Sequence, residues 1–203
     1  MAIITDGSAS SGLQIDSVAK AARATLYDAL GNEIPQFGKL ATFSVTTANF
    51  APAATATDLF TISGSASKLV KVLSIGLTGT AGAASNIDAY LVKRSSANSG
   101  TSQPTTAVPH DATNSAATAV AVYYTTNPTL GTTVGTITKR KIMLPVTATA
   151  VYPVHNELLP IVNGVAQPVT LNSNTEFLAV NYGGVAIPAT SANWAITCTW
   201  VEI

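Results

Sequence analysis

Charge is scarce in this chain. Only 10% of its 203 residues are charged, against about 25% in an ordinary globular domain, and 10 basic and 10 acidic side chains cancel to a formal net charge of zero. Nucleic-acid affinity comes mainly from Lys and Arg neutralising phosphates, so no nucleic-acid partner is expected. Aromatics are few, at 6%. No run reaches the roughly 18 apolar residues a helix needs to cross a bilayer. The longest candidates are broken by Lys71, Gly76 or Pro160, so no membrane partner is expected either. The stretch from Met1 to Gly12 lacks the basic opening and apolar core of a signal peptide, which predicts synthesis and folding in cytoplasm. A single cysteine, Cys198, excludes an intrachain disulfide. The nearest glycosylation acceptor, Asn127-Pro128-Thr129, is blocked by its proline.

Recognisable chemistry is also lacking. The two histidines, His110 and His155, each have a nearby acid, Asp111 and Glu157. A zinc or calcium site needs three or more convergent donors, and there is no HExxH, paired CxxC or EF-type loop. No G-x-S-x-G elbow marks a nucleophile, and the ten acids are scattered too thinly to single out a catalytic pair. Gly76, Gly79 and Gly82 in GLTGTAG have no following Lys-Ser/Thr, so they read as a turn after a strand rather than a phosphate cradle. The expectation is a non-enzyme with no cofactor and no metal. Tyr123 and Tyr124, with Tyr90, Tyr152 and Tyr182, offer ring faces on which a glycan could stack, although isolated tyrosines ordinarily pack a β core.

What is present is small side chains: 33 Ala, 29 Thr and 17 Ser. Hydrophobic residues at 47% exclude wholesale disorder, and a chain of this length can bury roughly 70% of its unfolded surface. Two parts are distinguished, an N-terminal segment over 1–40 and a β-sandwich domain over 41–203. Within the first, Val18, Ala22, Leu26 and Ala29 recur at helical spacing, with Asp16 or Ser17 as cap and Gly31 as stop. A strand over Ala24 to Tyr27 feeding a turn competes with that helix.

From Thr42 onward, short β-like runs are bounded by Gly, Pro, Asn or Ser clusters, the pattern of a sandwich or barrel. Ten runs are expected: 43–47, 59–63, 69–77, 87–94, 119–125, 134–144, 160–162, 165–169, 175–182 and 194–203. Asn163-Gly164 suits a type I′ hairpin turn. In the last run Trp194, Ile196, Cys198 and Trp200 alternate with Ala195, Thr197 and Thr199, which predicts a core strand and a structural thiol. In 69–77, Leu69, Leu73, Ile75 and Leu77 alternate with Val70 and Val72, leaving neither face polar and predicting a central or subunit-covered strand. Residues 95–118 read as a long polar loop, functional, interfacial or mobile. Lys139-Arg140-Lys141 reads as a charged edge strand, with a salt link to an acidic partner subunit as the second reading.

A Thr-, Ser- and Ala-rich surface without net charge keeps a free monomer poorly soluble and suits permanent contact with other subunits. The segments SVAKAARATLYDALGNEI, AVPHDATNSAATA, YTTNPTLGTTVGTI and NWAITCTWVEI resemble structural proteins of tailed-bacteriophage virions. The resemblance covers about half the chain. It implies a capsid decoration (cement) protein of jelly-roll type, commonly a homotrimer bound to the major capsid protein, on the virion surface after synthesis in the host bacterial cytoplasm. It further implies that Leu13 to Ile34, with Leu13, Ile15, Val18, Arg23, Leu26 and Tyr27, forms a docking arm or first strand pair. The alternative is a head or tail fibre or appendage module that binds a host surface glycan through Tyr123, Tyr124 or the 95–118 loop.

Overall fold

The computed structural model describes residues 40–83, 85–146, 155–159, 168–187 and 193–203, and within 1–39 the backbone of two short strands. The chain divides into two compact units, Met1–Leu40 and Ala41–Ile203. In the first, β1 (Gln14–Ile15) pairs antiparallel with β2 (Ala22–Arg23), Gln14 facing Arg23 and Ile15 facing Ala22. A residue committed to a ladder is not also part of an i→i−4 series, so Ala22 departs from the helical reading. The competing strand at Ala24 to Tyr27 lies outside the described residues.

The second unit is all-β. Its strands are β3 (Ala41–Thr46), β4 (Asp58–Ser63), β5 (Val70–Thr80), β6 (Ser85–Arg94), β7 (Gln103–Pro104), β8 (Val108–Pro109), β9 (Ala121–Tyr123), β10 (Thr133–Leu144), β11 (His155–Leu159), β12 (Val169–Leu171), β13 (Phe177–Asn181) and β14 (Asn193–Glu202). Two antiparallel sheets form a sandwich. One runs β11-β5-β14-β3-β8 with β12 also on β5, and the other β10-β6-β13-β4-β9-β7. β11 lies beside Ile75 to Thr78 and β12 beside Val70 to Val72, so both lie along the same side of β5 and are counted together as one strand. Eight principal strands follow, counted in chain order as β3, β4, β5, β6, β10, β11 with β12, β13 and β14. The first sheet then reads 1-8-3-6 from its β3 side to its β11 side, and the second reads 2-7-4-5.

Nine of the ten expected runs overlap these strands, 165–169 by Val169 alone. Residues 160–162 and the Asn163-Gly164 turn lie outside the described residues. β11 escaped the sequence reading because His155, Asn156 and Glu157 mask it. β7 and β8 escaped because each is two residues long and contains a proline.

The core explains the strand faces. Trp194, Ile196 and Trp200 are 0% exposed and Cys198 is 1% exposed. Phe43 stacks on Trp200 with centroids 5.8 Å apart, and Tyr182 meets Trp194 edge-on at 5.6 Å. Burial pushes the Cys198 thiol far above its ordinary pKa, leaving it protonated and unreactive. Simple alternation set Val70 and Val72 opposite Ile75 and Leu77, yet all four are fully buried. The register slips between Thr199 facing Ser74 and Trp200 facing Val72, with Leu73 the extra residue. This bulge shifts the phase of β5 so that both of its halves face the core. β5 is central, flanked by β14 on one side and by β11 and β12 on the other. Gly76 and Gly79 lie inside β5 rather than in a turn. A Cβ on Gly79 would stand 2.6 Å from Trp194 Cδ1, so that glycine makes room for the indole.

Candidate functional site

The polar stretch after β6 is not a free loop. Residues 95–132 form an excursion between β6 and β10, which are themselves hairpin partners. Its two stems continue that hairpin: Ser95 N donates to Thr132 O, Thr132 N to Ser96 Oγ, Gly131 N to Asn98 Oδ1, and Ser99 pairs with Thr129. At the root sits a buried ion pair. Arg94 Nε and Nη2 donate to Asp58 Oδ2 and Oδ1, each at 2.7 Å. Asn181 and Asn98 amides donate to the same two oxygens at 2.6 and 2.8 Å. Arg94 Nη1 reaches Gly131 O at 3.0 Å and Thr133 Oγ1 at 2.7 Å. Both charges are desolvated, so the pair persists because nearly every lone pair and N–H has a partner.

From that root the excursion crosses to the far edge of the sandwich. There β9 pairs with β4 and β7 with β9 in one sheet, while β8 pairs with β3 in the other. Glu202, the buried last residue of β14, fastens it. Its Oε1 accepts from Thr118 N (2.8 Å), Ala119 N (2.9 Å) and Trp200 Nε1 (3.2 Å), and its Oε2 from Thr118 Oγ1 (2.8 Å), with Lys68 Nζ at 3.4 Å. Burial acts to raise this carboxyl, but the Ala119 and Thr118 donors and the Trp200 indole outweigh it and hold it below its ordinary value. Thr105, Ala107, Ala117 and Val120 line an open groove of about 270 Å³ on the same edge.

The opposite edge is built differently. β10 is 12 residues long, and β6 is its sole strand partner among the described residues. Its register slips twice, between Thr133 and Gly135 and between Thr136 and Thr138. Val134, Ile137 and Met143 are exposed there. Lys139 and Lys141 both bind Asp88 of β6, at 3.0 and 3.2 Å, and hold its carboxyl below the ordinary range. Lys139 also lies over the Tyr90 ring at 5.2 Å. Arg140 points to the other face of the strand, opposite Ala89.

The residues singled out from sequence fall into three groups. Leu13, Val18, Leu26 and Tyr27 lie outside the described residues, and only the backbone pairing of Ile15 and Arg23 is described. Trp194, Ile196, Cys198 and Trp200 lie together in the core. Of the tyrosines offered to a glycan, Tyr124 is 5% exposed with its hydroxyl 3.3 Å from Thr61 Oγ1, and Tyr123 packs on Phe50 at 5.0 Å.

His110 Nε2 lies 2.7 Å from Ser44 Oγ, which is 2.9 Å from Thr199 Oγ1. Asp111 faces away, accepting from Thr113 N and Oγ1, which lowers its pKa. With no carboxylate from Asp111 on its imidazole, this contact fastens β8 to β3. Among the described residues no three His, Cys, Asp or Glu converge. The sequence reading missed Asp58, Arg94 and Glu202. Their signal was a charge set at the end of an apolar run in a chain poor in charge, which demands a partner. Comparison with known protein families, with curated proteins and with solved structures gives no match for this chain.

Proposed function

We propose that this protein is a non-enzymatic virion structural protein that binds and stabilises a tailed-phage capsid shell as a decoration or cement protein. In this reading it is a homotrimer seated on the major capsid protein at the virion surface. The observation that carries the reading is the strand order. The sheet orders 1-8-3-6 and 2-7-4-5 support a jelly-roll reading, an architecture of many viral capsid domains and also of lectins and cupins.

The surface favours the first of these. Architecture alone does not choose among functions, but a lectin site draws on accessible aromatic faces, and Tyr124 is closed into the body of the domain. A net-neutral surface rich in Thr, Ser and Ala suits permanent subunit contact. The bound protein stabilises the shell by mass action through buried area, with no chemistry required. Light scattering of the protein alone, followed by co-sedimentation with purified undecorated shells, tests the reading. A trimer that sediments with shells is expected. A monomer that ignores them overturns it, and a trimer that ignores shells yet binds cells moves the assignment to a fibre or appendage.

A further inference from the structure

We infer that the edge of β10 facing away from β6, centred on Arg140 and without a strand partner among the described residues, is the protein's docking strand, and that its occupant is an acidic extended segment of the shell subunit. This rests on the shell-binding reading above. Three observations converge on it. The stretch Thr138–Leu144 pairs with β6 in unbroken register, and no described strand pairs with its other side, so it offers a regular row of backbone donors and acceptors. Exposed Ile137 precedes that row and exposed Met143 lies near its far end, which provides apolar contact at either end.

Charge then selects the occupant. Lys139 and Lys141 share one carboxylate, Asp88, leaving that trio at net +1. Arg140, exposed on the opposite face, has no hydrogen-bond or ion-pair partner among the described residues. Cations therefore stand on both faces of the strand.

A second copy of this chain, in the register centred on Arg140, is the wrong occupant. Antiparallel pairing of β10 with itself about Arg140 sets Arg140 against Arg140 and Lys139 against Lys141, and like charges directly opposed across a ladder are destabilising. The same residues that repel a copy attract carboxylates on both faces of an incoming strand, so one feature serves repulsion and recognition together.

The test has two arms, both on the full chain. In the first, wild type, Arg140→Gln and Arg140→Glu are co-sedimented with undecorated shells over a salt series. The glutamate variant should bind at least about tenfold more weakly, with Gln between them and an unchanged melting temperature for all three. Equal binding by all three overturns the docking strand and leaves the shell reading standing.

The second arm does not depend on shells. The chain is titrated with a blocked nonapeptide alternating Val and Glu, with its Lys-for-Glu counterpart, and with an oligothymidylate of equal charge. Amide exchange is followed over 138–144. Protection by the acidic peptide alone is the expected result, even if shells are not bound. No protection at saturating peptide, or equal protection by the oligothymidylate, overturns the inference.

Discussion

The two edges of the sandwich solve the same problem in opposite ways. A sheet edge exposes unpaired backbone groups that invite another strand. At the β3/β4 edge, residues 95–132 leave the β6–β10 hairpin, cross the molecule and add β7, β8 and β9. They are pinned by Asp58–Arg94 at the root and by Glu202 at the tip. At the β10 edge no described strand is added. Two register slips and three successive cations stand there instead. One edge is covered by chain and buried charge, the other guarded by exposed charge. The difference teaches where a partner fits: the covered edge is already occupied by the protein itself, whereas the guarded edge repels a copy and admits an oppositely charged strand.

Breaking the covered edge should have the largest effects. Trp200→Ala removes both the stack on Phe43 and an indole donor to Glu202, and should cost roughly 3–5 kcal/mol, read by chemical denaturation. An unchanged midpoint would show that Trp200 does not carry the packing assigned to it. Arg94→Met, which strands the Asp58 carboxylate in a dry site, should cost a similar amount, about 3–5 kcal/mol, and should raise amide exchange through the 95–99 and 129–132 stems.

Glu202→Gln leaves one latch oxygen but replaces the charged acceptor, and should cost about 1–3 kcal/mol at neutral pH. Because the folded carboxyl titrates below its unfolded value, its stabilisation is present above the ordinary carboxylate range. It is lost as pH falls through the lowered value. The gap between wild type and Glu202→Gln should therefore close on acidification. A gap that stayed constant with pH would mean that the charge is not what holds Thr118 and Ala119. The smallest effect belongs to the guarded edge: Arg140→Gln should leave the melting temperature unchanged, since exposed positions without partners contribute little to stability.

Much of this was legible in the sequence. The turn-bounded runs from Thr42 onward announced an all-β chain, and the period-2 alternation of Trp194, Ile196, Cys198 and Trp200 announced a core strand, because alternation is a local property of extended backbone. Two short strands inside the loop at 95–118 were not legible, because β7 and β8, two residues each, gain their pairing from β9 and β3 rather than from their own composition. Which tyrosines pack the core, the ordinary expectation for isolated rings, was not legible for a related reason. Whether a ring at position 124 faces solvent depends on what lies across from it, here Thr61 of β4, and no local pattern carries that information.

By itself, then, the sequence determined the fold class, the polarity of most strand faces and the scarcity of charge, since these follow from side-chain periodicity and composition. Tertiary structure alone decided the phase of β5, through a bulge at Leu73 facing β14. It alone decided that Gly79 seats an indole and that Asp58 meets Arg94, 36 residues away along the chain. It also decided which edge is closed. Each of these is a contact between segments distant in sequence, where the favourable partner is created only when the chain has already been brought together.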